Sequence, residues 1–347
     1  MRKGILLVNL GTPVSPSVSD VRKYLGEFLM DPRVIDIHPV LRYLLVKGII
    51  VPFRAPKSAK LYKKIWDNKT GSPLLHYSNL QQQLLKIELG DAYVVELGMR
   101  YQYPSIELAL NKLRAANVES IRVISLFPQY ASATSGSVFA RVMEVVSIWP
   151  VIPSMSFINS FHDNPLMIDA FARNGRKYPV SDYDHVLFSF HGLPERQLKQ
   201  CDLSGVHCLQ KKGCCEALTN SNHNCYAAQS YHTARLIADE LNIPRENYTV
   251  CFQSRLGKSE WIKPYASETI ARLARAGKKR LLVFCPAFVA DCLETIYEIG
   301  IEYRDAFIAA GGEELHLVNS LNNSPVFINA LKEMAMQNEQ VLAKSEF

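Results

Sequence analysis

Apolar residues come in short, nearly unbroken runs at 4–10, 93–97, 121–127, 185–190, 248–252 and 280–284, separated by longer stretches of mixed polarity. Runs of this length without polar alternation predict strands covered on both faces, as in a parallel sheet flanked by crossover helices. Helical spacing fills stretches between them at 105–116, 227–241, 267–276 and 289–309, and Gly277 and the Gly311-Gly312 pair close two of these. Strand then helix, repeated in two halves, predicts an α/β protein of two doubly wound, Rossmann-like lobes with a central cleft. The lobes are expected at residues 1–172 and 173–318, with 319–347 a helical segment packing back on the first lobe. In open sheets of this kind ligands bind beyond the carboxyl ends of the strands, so the residues leaving each strand hold the functional information.

The composition, 48% hydrophobic and 21% charged over 347 residues, is that of a globular protein and excludes a disordered or collagenous chain. The net charge of +6 is mild, and no basic block is long enough to track a phosphate backbone. Nucleic acid is therefore not expected as a partner, whereas an acidic small molecule or an anionic membrane surface is compatible with this charge. The apolar run near the N-terminus is too short for a signal-peptide core, so a cytoplasmic protein is expected. Residues 40–53 form the most lipid-like stretch, but Arg42 and Lys47 interrupt it and Pro52 closes it. It falls short of the ~20 residues of a spanning helix. It remains able to rest on the inner face of a membrane as a peripheral contact.

Three strand ends carry chemistry. The run at 185–190 leads into His191-Gly192-Leu193-Pro194, which holds an imidazole rigidly at the end of a strand. Such a ring serves as a base or metal ligand, or else as a capping histidine satisfied by a backbone carbonyl. After 280–284 the chain reads Cys285-Pro286-Ala287-Phe288, and a helix expected from residue 289 places Asp291, Glu294 and Glu298 on one face. Stacked carboxylates suit a divalent metal, a proton shuttle or a facing cation; the plainer reading is a solvated acidic face. After 248–252 come Gln253, Ser254, Arg255, Leu256, Gly257, Lys258 and, further on, Trp261, a polar and aromatic set suited to lining a site for a flat ligand. In the first half, Arg100, Tyr101 and Tyr130 occupy equivalent places, and Arg100 and Tyr101 suit either a carboxylate or an interlobe contact.

Together the segments Phe188-Ser189-Phe190-His191-Gly192-Leu193-Pro194, Phe252-Gln253-Ser254-Arg255-Leu256-Gly257 with Trp261 and Pro264, and Cys285-Pro286-Ala287-Phe288 leading to Asp291-Cys292-Leu293-Glu294-Thr295 resemble ferrochelatase. The opening Val8-Asn9-Leu10-Gly11-Thr12-Pro13, the Gly71-Ser72-Pro73-Leu74 turn and Arg100-Tyr101 agree in order, so the resemblance covers nearly the whole chain. It implies insertion of Fe2+ into protoporphyrin IX or coproporphyrin III to form haem, with release of two protons. His191 would accept a pyrrole proton or bind the incoming iron, with Glu294 as its partner and Asp291 and Glu298 extending an acidic track. Arg100, Tyr101, Tyr130, Ser254 and Trp261 would contact the porphyrin. Some members carry His where this chain has Cys292, which touches only a secondary role. The alternatives are a related chelatase placing cobalt in another tetrapyrrole and a non-catalytic porphyrin or haem carrier.

Five of the eight cysteines, Cys201, Cys208, Cys214, Cys215 and Cys225, fall within 25 positions. In a cytoplasmic protein such clustering indicates metal rather than disulfides. The segment at 199–226 reads as an insertion in the second lobe. Four thiolates suit a [2Fe-2S] cluster or a zinc ion, and the lack of paired C-x-x-C knuckles favours the cluster. Adjacent Cys214 and Cys215 are expected to point apart, with only one ligating and Cys201 completing the set. His207 and His223 are further candidate ligands. The resemblance supports the same choice, because many ferrochelatases carry a [2Fe-2S] cluster.

Overall fold

The computed structural model describes residues 2–255, 257 and 259–343. Eight strands form two sheets, parallel throughout. The first contains β1 (Lys3–Gly11), β2 (Tyr93–Tyr101), β3 (Ser120–Ser125) and β4 (Ser154–Ile158) in the order β2-β1-β3-β4. The second contains β5 (His185–His191), β6 (Tyr248–Gln253), β7 (Arg280–Phe284) and β8 (Glu314–Leu317) in the order β6-β5-β7-β8. All six apolar runs are strands. The two strands without such a run, β4 and β8, are sheet edges with mostly half-buried residues, so they never needed continuous apolar sequence.

The chain packs as two compact units. One comprises the residues up to Leu126, Ser132–Ser160 and the stretch from Asn322 onward; the other comprises Phe127–Ala131 and Phe161–Leu321. The helix Pro165–Gly175, which spans the expected lobe boundary at 172, belongs to the second unit. The reason is close packing at its C-terminal end, where a Cβ on Gly175 would lie 2.6 Å from Cζ of Phe284 in β7.

In the first unit, the helix Pro325–Ala343 packs on the helix Pro73–Leu89. Arg122 Nη1 donates to the carbonyl of Met334 at 2.8 Å, and Gln81 Nε2 to that of Asn322 at 2.8 Å. Residues 39–65 form a nearly continuous helical segment with a π-helical middle, Leu44–Ile50. Val40, Leu41, Tyr43, Leu44, Ile49 and Phe53 on it are exposed, while Arg42 is buried and donates to the carbonyls of Ile35 and Ile37. Among the described residues, no helix is long and apolar enough to cross a membrane.

In the second unit, Phe188, Phe190, Phe252 and Phe284 are fully buried, and the Phe188 and Phe284 rings stack with centroids 5.2 Å apart. Burial of each contributes roughly 1.5–3 kcal/mol, which makes the carboxyl ends of β5, β6 and β7 a rigid platform.

Candidate active site

His191 is the last residue of β5 and pairs in register with Gln253, the last of β6. Registered neighbours in a sheet project to the same face, so the two side chains leave the platform side by side. The His191 backbone is held from behind by the hydroxyl of Tyr226, which donates to its carbonyl at 2.8 Å. The ring meets the carbonyl of Gly192 through Nδ1 at 2.7 Å. A carbonyl can only accept, so Nδ1 carries a proton, and in the neutral ring Nε2 bears the lone pair. The backbone cap that would make His191 merely structural is thus present, and it is also what frees Nε2.

Gln253 ties this histidine's strand neighbour to the carboxylates. Ser189 Oγ donates to Gln253 Oε1 at 2.8 Å, which fixes the amide so that Nε2 points onward. Nε2 then donates to the Glu294 carbonyl and to Glu298 Oε2, both at 3.1 Å. Glu298 also accepts from Ser254 Oγ at 2.6 Å and from the Tyr303 hydroxyl at 3.0 Å. Ser254 reaches it from a left-handed backbone conformation, φ 66°, a strained geometry for a non-glycine residue that recurs at functional sites. Burial, and then the charge of Glu298, raise the Tyr303 phenol well above its ordinary pKa and keep it a donor.

The acidic face differs from the expectation. No helix starts at residue 289: a turn follows β7, and a π-helix, Leu293–Tyr303, begins four residues later. Cys292 caps it in an extended conformation, its N–H donating to Thr295 Oγ1 at 3.0 Å. Asp291 therefore stands outside the helix, buried, accepting from Thr295 Oγ1 at 3.0 Å and the Ser320 amide at 3.3 Å. It anchors the turn instead of joining a carboxylate row. The i→i+5 bonding of a π-helix widens the turn, so residues four apart share a face. Glu294 and Glu298 remain together, and Glu302 joins them; burial, and then Glu298, raise the Glu302 carboxyl. The spacing of four places Glu302 on the face of Glu294 and Glu298, a signal already present in the sequence. Glu294 takes a hydrogen bond from the Cys292 thiol, whose pKa lies well above normal through burial and then the Glu294 charge.

The remaining expected ligand contacts are distributed differently. Tyr101 is fully buried and donates to Asp31 Oδ2 at 2.9 Å, so it offers no surface to a ligand. Arg100 is partly buried, with Nη2 on the same Asp31 oxygen at 2.6 Å and Nε on Ser137 Oγ at 2.6 Å. Asp31, which no sequence pattern singled out, is the centre of this group. Tyr130 is half-buried, its amide donating to Gln229 Oε1 at 2.7 Å. Trp261 is half-buried and backs Gly192, where an added Cβ would lie 3.2 Å from its Cε3. Leu256 and Lys258 of the neighbouring run lie outside the described residues.

Four thiols gather in the insertion. Cys208 and Cys215 both hydrogen-bond Cys225, and Cys214 Sγ lies 3.6 Å from Cys215 Sγ. The adjacent pair thus converges instead of pointing apart. Hydrogen bonds from Cys208 and Cys215, with the amides of Ala227 and Ala228 at a helix start, draw the Cys225 thiol strongly toward its thiolate form. Asp202 shapes the loop by accepting from the amides of His207 and Cys208 at 2.9 and 2.8 Å. His207 Nε2 meets the carbonyl of Cys214, and His223 Nδ1 that of Asn220. Cys201 lines a small cavity shared with Cys208, Cys214 and Cys225. A convergent, thiolate-stabilising donor set of this kind fits either an iron-sulfur cluster or zinc.

The ferrochelatase family profile matches residues 2–339. A ferrochelatase of Coxiella burnetii (strain Dugway 5J108-111) is 44% identical over 342 residues, covering 97% of this chain and 94% of that one. A ferrochelatase of Legionella pneumophila (strain Paris) is 44% identical over 343 residues, covering 98% and 100%. Among solved structures, the sirohydrochlorin chelatase SirB from Bacillus subtilis subspecies spizizenii in complex with cobalt aligns over 98% of both chains with TM-score 0.55 at 13% identity, a likeness of fold alone.

Proposed function

The chain belongs to the ferrochelatase family, whose reaction is insertion of Fe2+ into a porphyrin for haem synthesis, and we propose that His191, Glu294 and Glu298 carry that reaction out here. Metallation removes two protons from inward-facing pyrrole nitrogens while iron sheds its water. A neutral imidazole with a free Nε2 can take such a proton, and imidazole with carboxylate is a suitable ligand set for ferrous iron. The observation that carries the assignment is the Nδ1 contact of His191 with Gly192 O, which fixes the tautomer.

The two glutamates divide their work by what already binds them. Glu298 accepts from Gln253, Ser254 and Tyr303 and so is held in place. Glu294, which takes a hydrogen bond from the Cys292 thiol, is the carboxylate assigned to iron, with His191. Glu302, with its raised carboxyl, suits the onward passage of protons. Asp291 is a positioning residue for the start of the π-helix. Arg100, held by Asp31 and Ser137, is assigned to a porphyrin propionate, Trp261 and Tyr130 offer aromatic surface, and Tyr101 acts through Asp31.

Cys208, Cys214, Cys215 and Cys225 are assigned to a [2Fe-2S] cluster, with Cys201 beside it. Bound there, the cluster would supply a one-electron couple. The exposed apolar residues at 40–53 are assigned to a peripheral membrane contact, which suits a poorly soluble substrate.

One anaerobic experiment tests most of this: Fe2+ with protoporphyrin IX or with coproporphyrin III, followed by porphyrin fluorescence and absorption spectra. His191→Ala should bind porphyrin yet insert iron roughly 10²–10⁴-fold more slowly. Near-normal insertion by that variant removes His191 from the chemistry. The same preparation should be reddish-brown and bleach with dithionite; colourless protein holding stoichiometric zinc eliminates the cluster.

A further inference from the structure

The second unit holds another donor set that iron insertion does not use. His162 and Asp163 precede the helix Pro165–Gly175, and His232 lies within the helix Tyr226–Glu240. His162 Nε2 lies 3.3 Å from His232 Nδ1, and His162 Nδ1 lies 3.9 Å from Asp163 Oδ1. One ligand atom from each of the three residues can be chosen so that all lie within 4.8 Å of one another. His162 is only 7% exposed, and its buried Nδ1 has no hydrogen-bond partner among the described residues. The nearby hydroxyl of Thr233 is directed to the His162 carbonyl at 2.7 Å, which fixes the backbone and leaves Nδ1 of the ring unsatisfied.

An unpartnered buried polar nitrogen costs about 1–3 kcal/mol, so its retention calls for a ligand. The separation from Asp163 is too long for a hydrogen bond. It is of the size spanned by two donors on one cation: with bonds of about 2.0–2.2 Å, donors sit roughly 3.3 Å apart at tetrahedral angles and about 4.2 Å apart when opposed. Two imidazoles and one carboxylate suit borderline divalent ions, with water completing the shell. We propose that His162, Asp163 and His232 bind a divalent transition-metal ion of the zinc type, clipping the helices Pro165–Gly175 and Tyr226–Glu240 together at a site separate from the residues assigned to iron insertion.

Calorimetric titration of Zn2+ into the full-length protein tests this by difference. His232→Gln, at a half-buried position, should bind one fewer Zn2+ per chain than the unsubstituted protein and lose part of the Zn2+-induced rise in Tm. Asp163→Asn, at an exposed position, should weaken that same equivalent about tenfold or more. His191→Ala should retain the equivalent, which separates this site from the proposed chemistry. Equal stoichiometry and equal Tm shifts in the parent protein and both site variants overturn the proposal.

Discussion

Gly192→Ala probes how tightly the platform holds His191. The Gly192 amide donates to the Gln253 carbonyl at 2.8 Å, joining β5 to β6 one residue past the histidine. A Cβ at this position would lie 2.7 Å from that carbonyl oxygen and 3.2 Å from Trp261 Cε3. The oxygen belongs to a strand end and cannot rotate away, so the two chains must separate by about 0.5 Å to reach a tolerable contact. Overpacking of this kind costs about 1–3 kcal/mol, including the weakened hydrogen bond. At about 2–4 °C per kcal/mol for a unit of this size, Tm should fall by roughly 2–12 °C. Misplacement by 1 Å costs about 10²-fold in rate, so half of that should cost on the order of tenfold in iron insertion. Scanning calorimetry and the anaerobic fluorescence assay read the two effects. Gly48→Ala is the matched control, because nothing lies within 4 Å of a Cβ there. If Gly192→Ala kept the parent rate and Tm while folding normally, the rigid strand end would not be what positions the imidazole.

Asp31→Ala should destabilise the protein by about 3–5 kcal/mol in urea unfolding, since it strands the Arg100 charge along with the hydroxyls of Tyr101 and Ser137; a loss under 1 kcal/mol contradicts that account. Burial, and then Lys278, Arg272 and Arg245, depress His185 from 6.5 to about 4. Between those values the unfolded chain binds the proton and the folded one does not, so stability falls as pH drops from about 6.5 toward 4. His185→Gln should flatten that slope in Tm against pH, and an unchanged slope rejects the assignment. Replacing Leu44 and Phe53 by Ser should reduce co-sedimentation with anionic vesicles; undiminished binding places any membrane contact elsewhere.

Much of the fold was legible because the central strands of both sheets are buried on two faces and announce themselves as apolar runs. The edges β4 and β8 gave no such signal. His191 and Gln253 were legible as strand ends. The π-helix was not, because nothing in the spacing of Asp291, Glu294 and Glu298 separates it from an α-helix; Pro286 and the extended Cys292 delay its start, which is why Asp291 left the row. Asp31 was silent because its role depends on residues 69 to 106 positions away meeting it in the folded chain. The pairing of His162 with His232, 70 positions apart, was hidden for the same reason.

The return of the last helix to the first unit sets an order of events during synthesis. Arg122 Nη1 finds its carbonyl acceptors at Met334 and Ala335, and Gln81 Nε2 donates to the carbonyl of Asn322. At about 5–20 residues per second, the ribosome needs roughly ten to forty seconds to bridge that interval. Through that time the helix Pro73–Leu89 has β1 and β2 to pack on but not the last helix, and every residue of the second unit has been made before the first can close.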